Sequence, residues 1–230
     1  MELKFDPDNP KYEYVRDMEH AEKALDALEK EKIIGVDVEA TGLDPYTAEL
    51  LVVQIGNEEI SYIFDTEAID FTEFERMKNL LENNKVLKLL QNAKFDYKMI
   101  KQQTGIALNN VYDTMLAELV LTAGINKSAS LLALSRRYLD LDLEKEVRTT
   151  FQKLYPGQKL SEAQLEYSAL DTLVLFPIFH KQWPKLKEED LIDIAKLEFR
   201  VTSIVGDMEL NGIYIDRKRC KKIIEKLKKK

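Results

Sequence analysis

Residues 33–36, Ile-Ile-Gly-Val, begin as a buried strand, and apolar runs at 50–55 and 59–64 separated by Gly56-Asn57-Glu58 predict a hairpin. Residues 86–90 form another short apolar run, and 12–15 open the sheet. Between these segments the period lengthens to that of a helix. Ala21, Ala24, Leu25 and Leu28 share one face of a helix predicted over 18–30. Thr72 followed by Glu75 has the spacing of a capping box and predicts a helix running to about residue 81. From residue 94 onward the pattern is helical: 94–103, 113–121, 130–138, and a helix opened by a second capping box, Ser161 with Gln164. Strands come first and helices follow, which predicts an α/β arrangement, a mixed sheet with helices packed on it. Beyond residue 187 a long helix to about residue 210, the short stretch 212–216 and a further basic helix lack partner strands, so a boundary is placed near 184–188.

Acids interrupt this pattern at three places. In a strand, alternate side chains share a face, so Asp37 and Glu39 project together from the end of the first long strand while Val36 and Val38 project the other way. Unpaired neighbouring carboxylates repel, and burying either one costs several kcal/mol or raises its pKa. A hard divalent cation resolves the conflict; so, more simply, does exposure in a loop. Asn92 lies at the exit of the strand 86–90 and Asp96 on the first turn of the next helix, where the helix dipole favours an anion and where ordinary capping residues also occur. Tyr167 and Asp171 stand at i and i+4 of a later helix and share a face, with Leu170, Leu173, Val174 and Leu175 around the acid.

Composition narrows the chemistry. The single cysteine, Cys220, excludes an internal disulfide and a thiolate zinc cage, and His20 and His180 alone cannot build a histidine metal centre. Any metal must be held by oxygen. None of the eight glycines is spaced as a dinucleotide fingerprint or a phosphate loop. No apolar run approaches the length that crosses a bilayer, so no membrane partner is expected and the chain is read as soluble and cytoplasmic. The formal charge is −7, yet residues 217–230 carry nine Lys or Arg against Glu225 alone, a local +8 that leaves residues 1–216 at −15. That tail reads either as a solvated helix or as a segment for a nucleic-acid backbone, and an acidic body suits a site that divalent ions neutralise.

In chain order the three places read D-x-E, N-x3-D and Y-x3-D, with 57 positions from Glu39 to Asp96 and 75 from Asp96 to Asp171. Over residues 30 to about 182 this ordered set resembles the three exonuclease motifs of the DEDD superfamily in its tyrosine-bearing branch. The histidine-bearing branch would place His five residues before the last Asp, where Glu166 stands. Residues 197–216, LEFRVTSIVGDMELNGIYID, resemble the segment that leads from the proofreading domain into the polymerase domain of family A DNA polymerases. Ribonucleases of the D type share the three motifs and form the alternative. A non-catalytic nucleic-acid scaffold is a further one, against which the intact set of acids argues.

The resemblance implies a ribonuclease H-like mixed sheet of about five strands flanked by helices. It implies an exonuclease domain over residues 1–186 and a helical linker with the start of a polymerase domain over 187–230. It further implies a monomer that hydrolyses the 3′-terminal phosphodiesters of single-stranded or frayed DNA, releases 5′-mononucleotides and proofreads for a polymerase domain of the same chain. Two divalent ions, Mg²⁺ or Mn²⁺, are implied. Asp37, Glu39 and Asp171 would bind one, Asp37 would bridge to the second, and Asp96 would hold that second ion through its water shell. Tyr167 would orient the nucleophile, since a phenol with pKa near 10 is a poor base at neutral pH. For the substrate, backbone N–H groups of the loop with Ala40 and Thr41 would meet the terminal 3′-hydroxyl, and Leu43 would wedge between the last two bases unless it packs in the core. Asn92 would offer its amide to the last nucleotides, and Phe95, where many relatives have Tyr, would stack or pack without donating a hydrogen bond.

Overall fold

A computed structural model describes residues 3–125, 128–143, 147–155 and 157–228. In chain order the elements are β1 (Tyr12–Val15), α1 (Met18–Leu28), β2 (Ile33–Ala40), β3 (Leu50–Gly56), β4 (Ser61–Asp65), α2 (Glu75–Glu82), β5 (Leu87–Leu90), α3 (Ala93–Thr104), β6 (Val111–Asp113), α4 (Thr114–Leu121), α5 (Leu131–Leu139), α6 (Arg148–Phe151), α7 (Glu162–Leu173), α8 (Leu175–Glu188), α9 (Ile192–Asn211) and α10 (Arg217–Lys228). The strands form one mixed sheet in the order β1-β4-β3-β2-β5-β6. β2, β3 and β4 run antiparallel to one another in turn, and β1, β5 and β6 join parallel.

Among the described residues the sheet has six strands, one more than the five or so expected of this fold class. β6 is three residues long, and its last residue, Asp113, is also the N-cap of α4, so in sequence the strand merges into the start of the helix. The expected capping box at Thr72 and Glu75 does not form. Thr72 donates both its N–H and its hydroxyl to Asp70 in a local turn, and α2 starts only at Glu75 with no side-chain cap. The box at Ser161 and Gln164 forms as expected and opens α7.

Alternation in β2 sorts the two layers. Ile34, Val36 and Val38 enter a large core with Ala21, Leu25 and Leu28 of α1, Met77 and Leu81 of α2, and Met99 and Ile100 of α3. The opposite face, carrying Gly35, Asp37 and Glu39, lies under α7. There Val52, Ile63 and Ala169 share a second apolar cluster, and the Ser61 and Thr172 hydroxyls hydrogen-bond at 2.7 Å between β4 and α7. Glycine at 35 is required by this contact, because a Cβ there would lie 2.9 Å from the Thr172 carbonyl oxygen.

The basic helix α10 is exposed along its length, whereas α9 returns to the domain and packs on α3. A Cβ on Gly206 would stand 2.6 Å from the Tyr97 ring, so the two helices meet there almost backbone to side chain. Asp207 accepts from the Tyr97 hydroxyl at 2.8 Å and Lys101 at 2.6 Å, and Glu209 accepts from Lys94 and Lys98 at 2.6 Å each. Those two lysines hold the Glu209 carboxyl down at about 2. Pro184 lies inside α8, and the chain breaks helix after Glu188 before α9 begins. Among the described residues no helix is long and apolar enough to cross a membrane.

Candidate active site

Three of the acids picked out in the sequence converge. Carboxylate oxygens of Asp37 and Glu39, from the end of β2, and of Asp171, from α7, all lie within 4.8 Å of one another. The convergence follows from the layer under α7: alternation points both strand acids at that helix, and the helical period sets Asp171 over them. Glu39 and Asp171 are buried and Asp37 is half-buried. Three like charges at this spacing, largely shielded from water, form an oxygen-only donor set suited to a hard divalent cation.

The triad opens on a cleft of about 260 Å³ at the carboxyl ends of β2 and β5. Asp96 lines the same cleft from the first turn of α3 and stands outside the triad, nearly fully buried. Tyr167 lines it one helical turn before Asp171. Burial first, then the charges of Asp171, Glu39 and Asp37, drive the Tyr167 hydroxyl far above its ordinary pKa, and it hydrogen-bonds Asp171. The phenol is therefore a proton-bearing donor rather than a base.

Of the residues expected at the substrate, Ala40, Leu43, Asn92 and Phe95 line the cleft. Thr41 does not: its N–H donates to the Glu49 carbonyl and its hydroxyl accepts from the Glu49 N–H, both at 2.9 Å. It braces the loop from behind. Leu43 is 70% exposed, which removes core packing as its role and leaves an apolar side chain at the cleft edge. The base of this loop is fastened by Gln103, whose carbonyl accepts from the Leu50 N–H at 2.9 Å and whose amide donates to the Ala48 carbonyl. Lys94 pairs with Glu209 on α9 and takes no place in the cleft wall.

Val38 and Gly42 also line the cleft, as do Gln91, Met115, Ser130, Leu131 and Gln152, which sequence reasoning missed. Ser130 carried a signal as the N-cap of α5, where it accepts from the Ala133 N–H. Gln91 carried none. Its amide donates to the Ala129 carbonyl at 2.7 Å and its carbonyl accepts from the Thr114 hydroxyl at 2.6 Å, contacts between segments far apart in the chain.

A mixed sheet in this strand order flanked by helices, with strand and helix acids meeting over its central strand, is an α/β fold of the ribonuclease H-like kind. Solved structures share that fold. Escherichia coli RNase D matches with a TM-score of 0.77 at 20% identity, covering 86% of this chain and 51% of that one. Brucella melitensis NrnC with bound Mg²⁺ matches at 0.73 and 22%, covering 88% and 92%. Residues 12–187 match the family model described as 3′-5′ exonuclease, and the chain belongs to that family of metal-dependent hydrolases. Among curated relatives, DNA polymerase I of Borreliella burgdorferi is 30% identical over 227 residues, 94% of this chain and 24% of the relative. Ribonuclease D of Haemophilus influenzae is 26% identical over 212 residues, 90% of this chain and 51% of the relative. The chain thus spans between about a quarter and a half of the length of these relatives.

Proposed function

We propose that this domain removes nucleotides one at a time from the 3′ end of single-stranded or frayed DNA, as the editing part of a family A DNA polymerase. The observation that carries the reading is the meeting of Asp37, Glu39 and Asp171 in a cleft that Asp96, Tyr167, Asn92, Phe95 and Leu43 also line. The all-carboxylate donor set fits Mg²⁺ or Mn²⁺. Asp37, Glu39 and Asp171 would hold one ion, and Asp37 with Asp96 a second. Such ions, when bound, make water nucleophilic at neutral pH and offset charge on the departing oxygen.

The remaining work falls to the protein's own groups. Tyr167, kept protonated, orients the attacking water with its hydroxyl. Asn92 offers amide donors to the sugar-phosphate, Phe95 presents a ring to a base, and Leu43 separates the last two bases from the cleft edge. Ala40 lies against the terminal nucleotide, with Thr41 stiffening the loop through Glu49. Water forms the new bond to phosphorus and the O3′ of the penultimate nucleotide leaves, so a 5′-mononucleotide is released. Stacking and backbone contacts are indifferent to sequence, so selectivity for a mismatched end comes from its easier fraying.

Two observations support a DNA substrate and a polymerase context. The similarity to a DNA polymerase I, at 30% identity over 94% of the chain, is somewhat higher than that to ribonuclease D, at 26% over 90%, although both run past residue 187 where the family match ends. The outward face of α9 also carries Ile194, Leu197, Val201, Ile204 and Met208, all exposed and spaced three and four apart, a stripe suited to cover by further protein. We therefore read residues 1–186 as the exonuclease domain and 187–230 as a helical linker and the start of a polymerase region. The similarity to ribonuclease D favours a second reading, an exoribonuclease. A 5′-labelled DNA strand and an RNA of the same sequence, incubated with Mg²⁺, Mn²⁺ or EDTA, separate the two. A metal-dependent ladder on DNA with slower cleavage of RNA supports the first reading, and the reverse preference supports the second.

A further inference from the structure

Asp113 takes no part in the triad, yet it is 1% exposed and its carboxylate collects backbone donors from two helix starts. Its Oδ1 accepts from the N–H groups of Met115 at 2.9 Å and Leu116 at 3.3 Å, capping α4. The same oxygen accepts from the Asn92 N–H at 3.0 Å, and Oδ2 accepts from the Ala93 N–H at 2.8 Å, at the start of α3. Orphan N–H groups of a helix are ordinarily satisfied by the N-cap side chain of that same helix. In α3 the N-cap is Asn92, held left-handed at φ 59° and ψ 47°, and its side chain makes no capping bond. Asp113 has taken over that duty at Ala93, and Asn92, whose side chain is left out of the cap, is a residue of the cleft wall.

The next residue extends the brace. The Thr114 hydroxyl shares its one proton between the Gln91 side-chain oxygen at 2.6 Å and the Leu90 carbonyl at 3.0 Å, and Gln91 in turn holds Ala129 beside the cleft residues Ser130 and Leu131. One buried pair, Asp113-Thr114, therefore sets the start of α3, whose first turn carries Asn92, Phe95 and Asp96.

We propose that Asp113 is a positioning residue of the exonuclease site. It holds the first turn of α3 so that the Asn92 amide faces the substrate and Asp96 is presented to a divalent cation. The inference rests on the proposed role of Asp96 and Asn92 in the cleft. Serine is a competent N-cap for α4 but too short to span to α3, so Asp113→Ser separates helix capping from the bridge. Asp113→Asn keeps the reach and sets an amide NH₂ against N–H donors.

The test compares Mn²⁺ binding by calorimetry and single-turnover cleavage in wild type, Asp113→Ser, Asp113→Asn and Asp96→Asn, all at a temperature where circular dichroism shows them folded. Supporting shell residues of metal sites typically cost about 10–100-fold in affinity or rate when replaced. The expected result is a loss of that order in the Mn²⁺ step that Asp96→Asn also weakens. In addition, Asp113→Ser should slow the Asp96→Asn background by less than about twofold, the non-additivity of residues acting through one another. Lower melting temperature with wild-type Mn²⁺ isotherm and cleavage would overturn the proposal and leave Asp113 a structural cap. If neither Asp113 variant is folded at any temperature tested, the bridge is a requirement of the fold, and the positioning role is likewise overturned. A wild type that binds Mn²⁺ without cleaving would count against the nuclease reading, while the isotherms still decide the role of Asp113.

Discussion

A methyl group on Gly35 would lie 2.9 Å from the carbonyl oxygen of Thr172, so β2 and α7 approach as closely as a glycine permits. Asp37 sits two residues beyond Gly35, and Asp171 immediately precedes Thr172. The contact therefore sets the distance between the two halves of the triad. Gly35→Ala must push α7 off the sheet, since backbone rather than a flexible side chain stands in the way. We expect a stability loss of about 1–3 kcal/mol from overpacking and a fall in cleavage rate on the order of 10²-fold from displaced ligands. Urea denaturation and single-turnover cleavage measure the two effects; unchanged cleavage would show that the triad tolerates the shift.

Tyr167 is expected to act through its hydroxyl as a donor. Tyr167→Phe should slow hydrolysis by about 10²-fold with Mn²⁺ binding close to wild type. Because a phenol has an ordinary pKa near 10 and burial raises it further, the hydroxyl carries its proton throughout neutral pH and the variant should have the same pH–rate shape as wild type there. A Tyr167→Phe protein as fast as wild type at saturating Mg²⁺ would remove the orienting role.

Leu43 offers a contrast between stability and activity. With 70% of its surface exposed it contributes little packing, so Leu43→Ala should change unfolding free energy by no more than about 0.5 kcal/mol. Cleavage of a single strand should nevertheless fall severalfold, through loss of the wedge at the terminal bases. Equal cleavage by both proteins would return Leu43 to an ordinary surface residue.

Lys88 supplies a pH dependence remote from the cleft. It lies fully buried in β5, donating to the Asn83 and Val86 carbonyls, and burial pushes its ammonium down from 10.5 to about 8. The folded pKa is below the unfolded one. Between them the unfolded chain holds the extra proton, so raising the pH through this window favours the fold. Below the folded pKa the fold bears the full cost of the buried charge, on the order of 3 kcal/mol for a shift of this size. The stability difference between wild type and Lys88→Met should therefore move in favour of wild type from pH 8 to about pH 10. A difference that stays flat across that range would contradict the shift.

What the sequence disclosed followed short-range rules. Strand alternation put Asp37 and Glu39 on one face, helix periodicity put Tyr167 and Asp171 on another, and the Ser161–Gln164 box marked the start of α7. Three motifs in order then indicated that these faces meet. What it concealed depends on contacts between distant segments. β6 is short enough to be absorbed into the helix that Asp113 caps, and Thr72 has the spacing of a cap while its hydroxyl goes to Asp70. The bridging role of Asp113 and the placement of Gln91 need the adjacency of β5 and β6, which no local pattern encodes. Gly35 and Gly206 similarly mark close approaches whose partners, Thr172 and Tyr97, lie more than a hundred residues away.

The central claim is that cations held by the converging acids cut the 3′ end. It is tested most directly by following a 5′-labelled single DNA strand with Mg²⁺ in wild type and Asp37→Ala, both shown folded by circular dichroism and both titrated with Mn²⁺. The account predicts a ladder of shortened strands from wild type that EDTA abolishes, and in Asp37→Ala weakened Mn²⁺ binding with cleavage reduced by orders of magnitude. Cleavage by Asp37→Ala at the wild-type rate, or a wild type that neither binds Mn²⁺ nor shortens the strand, would contradict it.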